Sequence, residues 1–296
     1  MRIRPTLIAA LLLIGALALA ACGSSSKSTK STSTSATASK PAALSVTATD
    51  SVKNTKLTVP ASTNGGVVTV TLKNDGKRPH EAQLVRLDNG KTIADVKKVL
   101  SSPKIPTWAH LEGGVPATPP GQSGTATLSL TAGNYVVIDN PNGPGGGAAP
   151  PGFKALKVSG GAGGSLPATA TTVTAASPAK NKFKWDIQGA LKRGENRLTF
   201  VSKGDPEAVH LIAAVRLTGK PTDAQVQKAL ASQGKPPPFL DQSTFTSTSL
   251  LDSGKSEVTS LALHKPGEYL LFCPLTDKDG GKAHDQEGLV TRVTVK

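Results

Sequence analysis

The 296-residue sequence predicts an all-β protein made of two tandem Greek-key β-sandwiches, each with one short inserted helix. The first reason is a set of short segments in which apolar and polar residues alternate, as at 68–72 and 196–200. Gly, Pro, Asn and Asp separate these segments, as expected for turns between strands. Further strand-like segments lie at 82–87, 127–130, 135–138, 209–217, 258–261, 269–272 and 289–295.

The second reason is an internal repeat. The tripeptide at 85–87 recurs at 215–217, and His80 recurs as His210, both 130 positions later. A longer pair of matching segments lies at 133–139 and 267–273. Several matches at nearly constant spacing indicate a tandem duplication, so the sequence predicts two copies of one domain.

Each copy also contains one segment with helical periodicity, at 92–100 and at 222–230. Thr92 and Thr222 stand at the N-terminal ends, and an acid or amide three positions later gives the pattern of a capping box. Apolar residues three or four positions apart are expected to share one helix face. These residues are Val96, Val99 and Leu100 in the first copy and Val226, Ala229 and Leu230 in the second.

The domain boundaries follow from the repeat and from composition. The first copy is predicted to span 45–159, and the second 181–296. The segment between them, 160–180, is rich in Gly, Ala, Ser, Thr and Pro and is therefore predicted to be a linker.

The N-terminus has the pattern of an exported protein. Arg2 and Arg4 precede a short uncharged apolar run at 7–19, which predicts a signal peptide over 1–21. The four residues ending in Cys22 resemble the lipobox of bacterial lipoproteins. This resemblance implies cleavage before Cys22 and acylation of its thiol, so that membrane lipid anchors the protein. The expected localisation is extracytoplasmic, at the cell surface or the periplasmic face of a membrane.

Residues 22–44 are predicted to form a disordered tether, because most of them are Ser, Thr, Ala and Lys. The formal charge of the chain is +14, but the Lys residues are scattered and aromatic residues make up only 3%. Nucleic acid is therefore not a predicted partner. The charge indicates either attraction to anionic lipid headgroups and wall polymers or a solvated surface with no specific partner.

The candidate chemistry lies in the second copy. The chain has two cysteines, and with Cys22 lipidated, Cys273 has no partner for an internal disulfide. His284 follows Cys273 by eleven residues, and His210 stands far upstream at the start of a predicted strand. One thiolate and two imidazoles from separate segments are the ligands of a trigonal blue-copper site, which a weak axial group completes.

These residues resemble the cupredoxin family, in which an early His is followed by a late Cys…His…Met loop. The His-x4-Met spacing is reproduced from His284 to Leu289, with Leu in place of the usual Met. The resemblance implies one mononuclear type 1-like copper in the second domain, with His210, Cys273 and His284 as ligands. Leu289 cannot coordinate, which implies a higher reduction potential because Cu(II) loses a donor.

In such a site we expect His210 to be buried and the loop histidine, His284, to lie nearer solvent. Electrons would then pass at the loop edge to a redox partner protein. The gap between Cys273 and His284 is longer than in most simple members of the family, and the turn at 277–281 is expected at the surface.

The first copy is predicted to lack a metal site. Asp139 stands at the position of the cysteine, Ala148 at that of the second histidine and Phe153 at the axial position. Only His80 remains, either as a remnant or as a strand-end hydrogen-bonding residue.

Two functions are open. The first is electron transfer or copper handling by the second domain. The alternative is a metal-free binding or scaffold lipoprotein on a degenerate form of the fold. In that case Cys273 is a buried small side chain, His210 a core or strand-end histidine, and His284 a solvent-facing loop residue.

An enzyme is not predicted, because five histidines without a His-x-His pair cannot form a multicopper cluster within one chain. Asp277 and Asp279 supply too few oxygen atoms for a calcium site. The remaining histidines, His110 and His264, have no neighbouring candidate ligands and are expected at the surface.

Overall fold

The computed structural model describes residues 41–50, 55–100, 102, 104–139, 150–161, 163–232 and 235–296. The predicted signal peptide, Cys22 and nearly all of the predicted tether lie outside the described residues, as does Ala148. The described residues belong to one compact unit, Ala38–Lys296. None of the described helices is long and apolar enough to cross a membrane.

The first copy contains nine strands and one helix within the described residues. In chain order they are β1 (Ala42–Asp50), β2 (Thr55–Thr58), β3 (Ser62–Asn64), β4 (Gly66–Asn74), β5 (His80–Leu87), α1 (Ile93–Val99), β6 (Ala109–Thr118), β7 (Ser123–Leu130), β8 (Gly133–Asp139) and β9 (Gly152–Ser159).

The second copy follows nearly the same order. Its elements are β10 (Thr172–Ala179), β11 (Lys182–Gln188), β12 (Gly194–Lys203), β13 (Val209–His210), β14 (Ala213–Leu217), α2 (Asp223–Leu230), β15 (Leu240–Ser247), β16 (Leu251–Asp252), β17 (Ser256–Leu263), β18 (Gly267–Phe272), a 3-10 helix (His284–Glu287) and β19 (Val290–Val295).

The two copies share their sheets. An eight-stranded sheet has the order β11-β10-β12-β17-β7-β4-β1-β2, so each copy supplies four strands in matching order. The copies meet where Glu257 and Val258 of β17 pair with β7. A seven-stranded sheet, β13-β16-β6-β5-β8-β9-β3, also crosses the boundary, and the sheet β15-β14-β18-β19 completes the second sandwich.

Alternation along the strands builds the core. Val68, Val70 and Leu72 on β4 are fully buried, and Leu198 and Phe200 on β12 occupy the equivalent positions. Successive side chains on a strand point to opposite faces, so one face of each of these strands packs into a sandwich. The all-β fold class predicted from the sequence, with one short helix inserted in each copy, is confirmed.

The two predicted helices are present, with small differences at their ends. The Thr222 hydroxyl accepts from the Gln225 N–H at 3.3 Å and the Gln225 amide oxygen accepts from the Thr222 N–H at 2.8 Å, which completes the predicted capping box of α2. In α1, Val96 is buried as predicted. Leu100 follows the last helical residue and is 42% exposed, so its expected place on the apolar face was wrong.

The predicted linker was wrong in its second part, because 172–179 form β10. This strand pairs in parallel with β12 and antiparallel with β11, and it buries Val173 and Ala175. Its small Ala and Thr side chains give a linker-like composition, although their alternation places Val173 in the core. The first strand also begins earlier than predicted, since Ala42 lies within the range assigned to the tether.

Candidate metal centre

The three side chains that the sequence singles out converge in the second copy. His210 ends β13, Cys273 directly follows β18, and His284 begins the 3-10 helix before β19. One ligand atom from each residue lies within 4.8 Å of the other two. All three residues are completely buried. The structure therefore brings together one thiol and two imidazoles that are widely separated along the chain.

Backbone hydrogen bonds close the segment that carries two of these side chains, residues 273–289, which we call the ligand loop. The Cys273 N–H donates to the Leu289 carbonyl at 3.1 Å, and the Asp285 N–H donates to the Cys273 carbonyl at 2.9 Å. The His284 N–H donates to the Leu275 carbonyl at 2.8 Å. These bonds tie the two ends of the loop together and place His284 beside Cys273.

Asp277 orients the ring of His284. Its Oδ1 lies 3.1 Å from His284 Nε2, while His284 Nδ1 lies 3.7 Å from Cys273 Sγ. An ionised carboxylate can only accept a hydrogen bond, so Nε2 carries the proton and the Nδ1 lone pair faces the sulfur. A carboxylate that fixes the tautomer of a ligating histidine is a frequent feature of metal sites.

His210 has a buried nitrogen without a partner. Its Nδ1 forms no hydrogen bond, and its Nε2 lies 3.4 Å from the Ser177 hydroxyl. Burial, assisted by the nearby His284, lowers the pKa of His210 to about 3, so the ring is neutral at physiological pH. A neutral imidazole with an unpaired buried nitrogen is the form in which histidine binds a metal.

The protonation of the other two groups also follows from burial. Burial raises the pKa of Cys273 to about 12, so without a metal this residue is a neutral thiol. Burial lowers the pKa of His284, although Asp277 acts in the opposite direction. A metal ion that binds here must therefore displace the thiol proton, while both imidazoles are already in the ligating form.

Phe183 and Leu289 cover the site. The Phe183 ring stacks on His284 with 4.1 Å between centroids and meets the His210 ring in a T-shaped contact at 5.5 Å. Leu289 is completely buried in the same apolar cluster as Cys273. Gly288 adopts φ +110°, and a Cβ there would lie 2.5 Å from the Phe183 carbonyl oxygen. A glycine at this position lets the ligand loop approach β11 closely.

One expectation about the ligand loop was wrong. His284 is not nearer solvent than His210, because Phe183 from β11 covers it. The segment 277–281 turns back on itself and exposes Asp279 and Gly281, as expected of a surface turn, but Lys278 within it is only 6% exposed. The position of β11 over the ligand loop could not be predicted from the sequence alone. The available signal was an isolated Phe between two Lys in a short alternating segment.

The equivalent position in the first copy contains a buried histidine–carboxylate pair. His80 Nδ1 lies 2.7 Å from Asp139 Oδ2, and both side chains are fully buried. The other carboxylate oxygen of Asp139 accepts from the Glu81 N–H at 2.8 Å, and His80 Nε2 lies 3.3 Å from Asp50 Oδ1. Of the two expectations for His80, the strand-end hydrogen-bonding role matches the structure.

The donor set fits a thiophilic metal ion. Among the described residues, His210, Cys273 and His284 form the one group of three or more His, Cys, Asp or Glu side chains placed to hold a metal. Thiolate and imidazole are ligands of copper and zinc, whereas calcium requires oxygen atoms. The remaining histidines lie elsewhere: His110 lies 2.8 Å from Asp88, and His264 is exposed.

No protein-family model matches this chain, and no curated protein matches it. Among solved structures, it is similar to a multicopper oxidase, with 12% identity, a TM-score of 0.26, and coverage of 86% of this chain and 88% of that chain. A Cu-containing nitrite reductase from Thermus scotoductus SA-01 has 13% identity, a TM-score of 0.25, and coverage of 87% and 62%. A reduced auracyanin from Roseiflexus castenholzii has 24% identity, a TM-score of 0.28, and coverage of 44% and 99%. These similarities are low, and the all-β fold class rests on the strands and sheets described above.

Proposed function

We propose that this protein is a membrane-anchored extracytoplasmic lipoprotein whose second β-sandwich binds one mononuclear type 1-like copper ion. His210, Cys273 and His284 are the ligands, and Leu289 occupies the axial position. The main support is the convergence of these three buried side chains within 4.8 Å, with His210 Nδ1 lacking any hydrogen-bond partner. A buried polar atom without a partner calls for a specific explanation, and a metal ion supplies one.

The number and type of donors favour copper over zinc. Structural zinc sites are almost always tetrahedral with four protein ligands, and catalytic ones add a water molecule to three. Among the described residues the group of candidate ligands has three members, and the proposed axial residue, Leu289, is apolar and fully buried. Two imidazoles and one thiolate with a weak or absent axial donor are typical of blue-copper sites.

The surrounding residues suit electron transfer better than copper exchange. Bound copper would supply one-electron redox chemistry. Asp277 orients His284, and Phe183 and Leu289 exclude water. A fully buried ion would have no open path for release, so we favour electron transfer to or from a partner protein over copper handling. We propose no enzymatic activity.

The proposed location rests on the N-terminal sequence. Cys22 would carry the lipid, and the segment between it and β1, residues 22–41, would hold the folded body away from the membrane. Membrane lipid is thus one partner, a redox protein is a second, and nucleic acid is not among the proposed partners.

The test is a Cu(II) titration of residues 38–296, in which Cys273 is the single cysteine. We expect one equivalent of copper to bind, with an intense visible band from thiolate-to-copper charge transfer. Cys273→Ser should abolish this band, whereas His264→Ala, which alters an exposed histidine, should leave it unchanged. If the unaltered protein shows neither a band nor a rise in melting temperature, copper binding is refuted and the metal-free scaffold remains.

A further inference from the structure

The ligand loop is held in its middle by the first copy. Lys278 lies between Cys273 and His284, and its carbonyl accepts a hydrogen bond from the Ile105 N–H at 3.0 Å. Its ammonium group donates to the Ala109 carbonyl at 3.3 Å. Ile105 and Ala109 belong to the first copy. The loop that carries two of the three candidate ligands is therefore attached to a domain that contributes none.

The same lysine also joins the loop to the region of the third ligand. The Lys278 ammonium pairs with Asp252 Oδ2 at 2.6 Å, and the Lys278 N–H donates to the Glu207 carbonyl at 2.9 Å. Asp252 is the register partner of Val209, the residue before His210. Lys278 thus connects the ligand loop, the His210 strand and the first copy at a single buried point.

The strand that carries His210 depends on the first copy as well. In the seven-stranded sheet β13 pairs with β16, and Leu251 of β16 pairs with Glu112 of β6. Gln83 of the first copy clamps the residue before Leu251: its amide nitrogen donates to the Leu250 carbonyl at 3.0 Å and its oxygen accepts from the Leu250 N–H at 2.7 Å. The two second-copy strands at one end of this sheet, β13 and β16, are therefore held by the first copy.

Apolar packing also connects the candidate site to the first copy. Val209 is fully buried in a cluster that otherwise consists mainly of first-copy residues, including Val85, Leu87 and Val136. Leu275 of the ligand loop packs against the same cluster. Val209, beside His210, and Leu275, two residues after Cys273, therefore pack against a surface that the first copy supplies.

The connection to the ligands themselves runs through Asp277. This residue precedes Lys278, and its carboxylate sets the ring orientation of His284. A displacement of Lys278 moves the backbone of Asp277 and releases the ring that faces Cys273 Sγ. Metal sites need their ligands held within a narrow range of positions, and outer residues that fix them affect affinity.

We propose that the first copy is a positioning clamp for the metal site of the second, and that Lys278 is its central positioning residue. The purpose of this clamp rests on the proposed copper function. The ordering of the ligand loop by the first copy does not require a metal. The clamp gives a role to a first copy that has a buried His80–Asp139 pair in place of the candidate site and shares two sheets with its neighbour.

The first measurement is amide hydrogen exchange of metal-free residues 38–296. Lys278→Met removes the ammonium group but leaves Asp252 buried without its partner, which can unfold the protein. The main variant is therefore the double change Lys278→Met with Asp252→Asn, which leaves no unpaired buried charge. We expect exchange at His284 and Asp285, whose N–H groups are hydrogen-bonded within the loop, to become much faster while the core strands stay protected.

The matched control is Lys255→Met. Lys255 also forms an ion pair across the two copies, with Glu112 at 2.7 Å, and Glu112 keeps Arg86 as a second partner. The substitution removes the same side chain from the same boundary but not from the ligand loop. We expect no change in exchange at His284 or Asp285.

The second measurement is Cu(II) affinity by competition with a chelator. We expect the double variant to bind copper about 10- to 100-fold more weakly than the unaltered protein, as for other residues that orient metal ligands. Lys255→Met should bind as the unaltered protein does. Protection of the loop in the double variant, or faster exchange with unchanged affinity, would overturn the clamp. If the unaltered protein binds no copper, the proposed function fails, and faster exchange then supports the clamp as a device that orders the loop.

Discussion

The two copies place a histidine at the same position of the repeat, and the two rings have opposite surroundings. His80 in the first copy lies 2.7 Å from a buried carboxylate of Asp139. His210 in the second has a buried Nδ1 with no hydrogen-bond partner, and the residue at the position of Asp139 is Cys273. The difference arises from the side chains around the ring, since His80 faces Asp139 and Asp50 whereas His210 faces Cys273 and His284.

This contrast separates a candidate metal site from a structural histidine–carboxylate pair. In the first copy Asp139 accepts from one ring nitrogen of His80, and a second carboxylate, Asp50, lies 3.3 Å from the other without a hydrogen bond, so both nitrogens face an acid. A thiol is a weak hydrogen-bonding group and leaves the ring nitrogen unsatisfied. The presence of a histidine is therefore not informative by itself, whereas an unsatisfied buried nitrogen beside a thiol is.

The largest expected effect is on stability when the residue opposite each histidine is removed. In the metal-free protein, Asp139→Ala leaves buried His80 without its closest partner and should lower the free energy of unfolding by about 3 kcal/mol. Cys273→Ala removes only a buried thiol, which forms no strong hydrogen bond, and should lower the free energy of unfolding by about 1 kcal/mol. Urea unfolding in the presence of a chelator measures both.

Copper should reverse the order of these two variants. At a free copper concentration of about 100 times Kd, binding to the folded state adds about 2.7 kcal/mol. Asp139→Ala keeps the second-copy ligands and should gain this stabilisation, whereas Cys273→Ala should gain none. Equal losses in the metal-free state, or equal gains with copper, would show that the two positions do not differ as proposed.

A smaller effect concerns pH. The pKa of His210 falls from its ordinary 6.5 to about 3 in the folded protein because the ring is buried. Between these values the unfolded chain binds a proton that the folded protein does not, so stability is fully present above pH 6.5 and falls with acidification. From pH 7 to pH 5, His210 should account for a loss of about 2 kcal/mol in the metal-free protein. His284, whose pKa burial also lowers, acts in the same direction.

Urea unfolding at pH 7 and pH 5 tests this contribution. His210→Leu should lose less stability on acidification than the unaltered protein, because the unfolded chain no longer has that histidine to protonate. His264→Leu, at an exposed histidine, serves as the control and should follow the unaltered protein. A variant without His210 that loses as much stability as the unaltered protein would contradict the assigned environment of this ring.

Much of the fold was predictable because it depends on local patterns. Alternation predicted strands such as β4 and β12, and the repeat predicted the paired helices. Strand β10 was not predicted, because the small Ala and Thr residues that suit a buried strand between two neighbours also suit a linker. Composition alone cannot separate these two cases when the deciding contact is a parallel partner strand that lies further along the chain.

The candidate site divides in the same way. The ligand types and their spacing are properties of the sequence, and the structure brings His210, Cys273 and His284 together. Phe183 and Lys278 were not predicted, because their roles arise from packing between strands and between copies. A buried lysine in a turn rich in Gly and Asp has the sequence pattern of an exposed one, and only the positions of Asp252 and Ala109 distinguish it.

The smallest expected effect on stability, and the one that most directly tests the metal's environment, comes from Leu289. This side chain is fully buried in the same apolar cluster as Cys273 and is the proposed axial residue. Leu289→Met nearly conserves volume and should cost less than about 1.5 kcal/mol of stability. Its thioether would offer Cu(II) an additional weak donor, so the reduction potential of the bound copper should fall.

The matched variant is Leu289→Ile, which changes shape without adding a donor. Protein-film voltammetry or a redox titration followed at the charge-transfer band measures both variants. A lower potential with Met and an unchanged potential with Ile would place Leu289 at the axial position. A similar shift in both would mean that packing around Cys273 sets the potential, and the axial assignment of Leu289 would then be wrong. The equivalent experiment cannot be done in the first copy, because the carboxylate of Asp139 stands beside His80 where the second copy has a thiol.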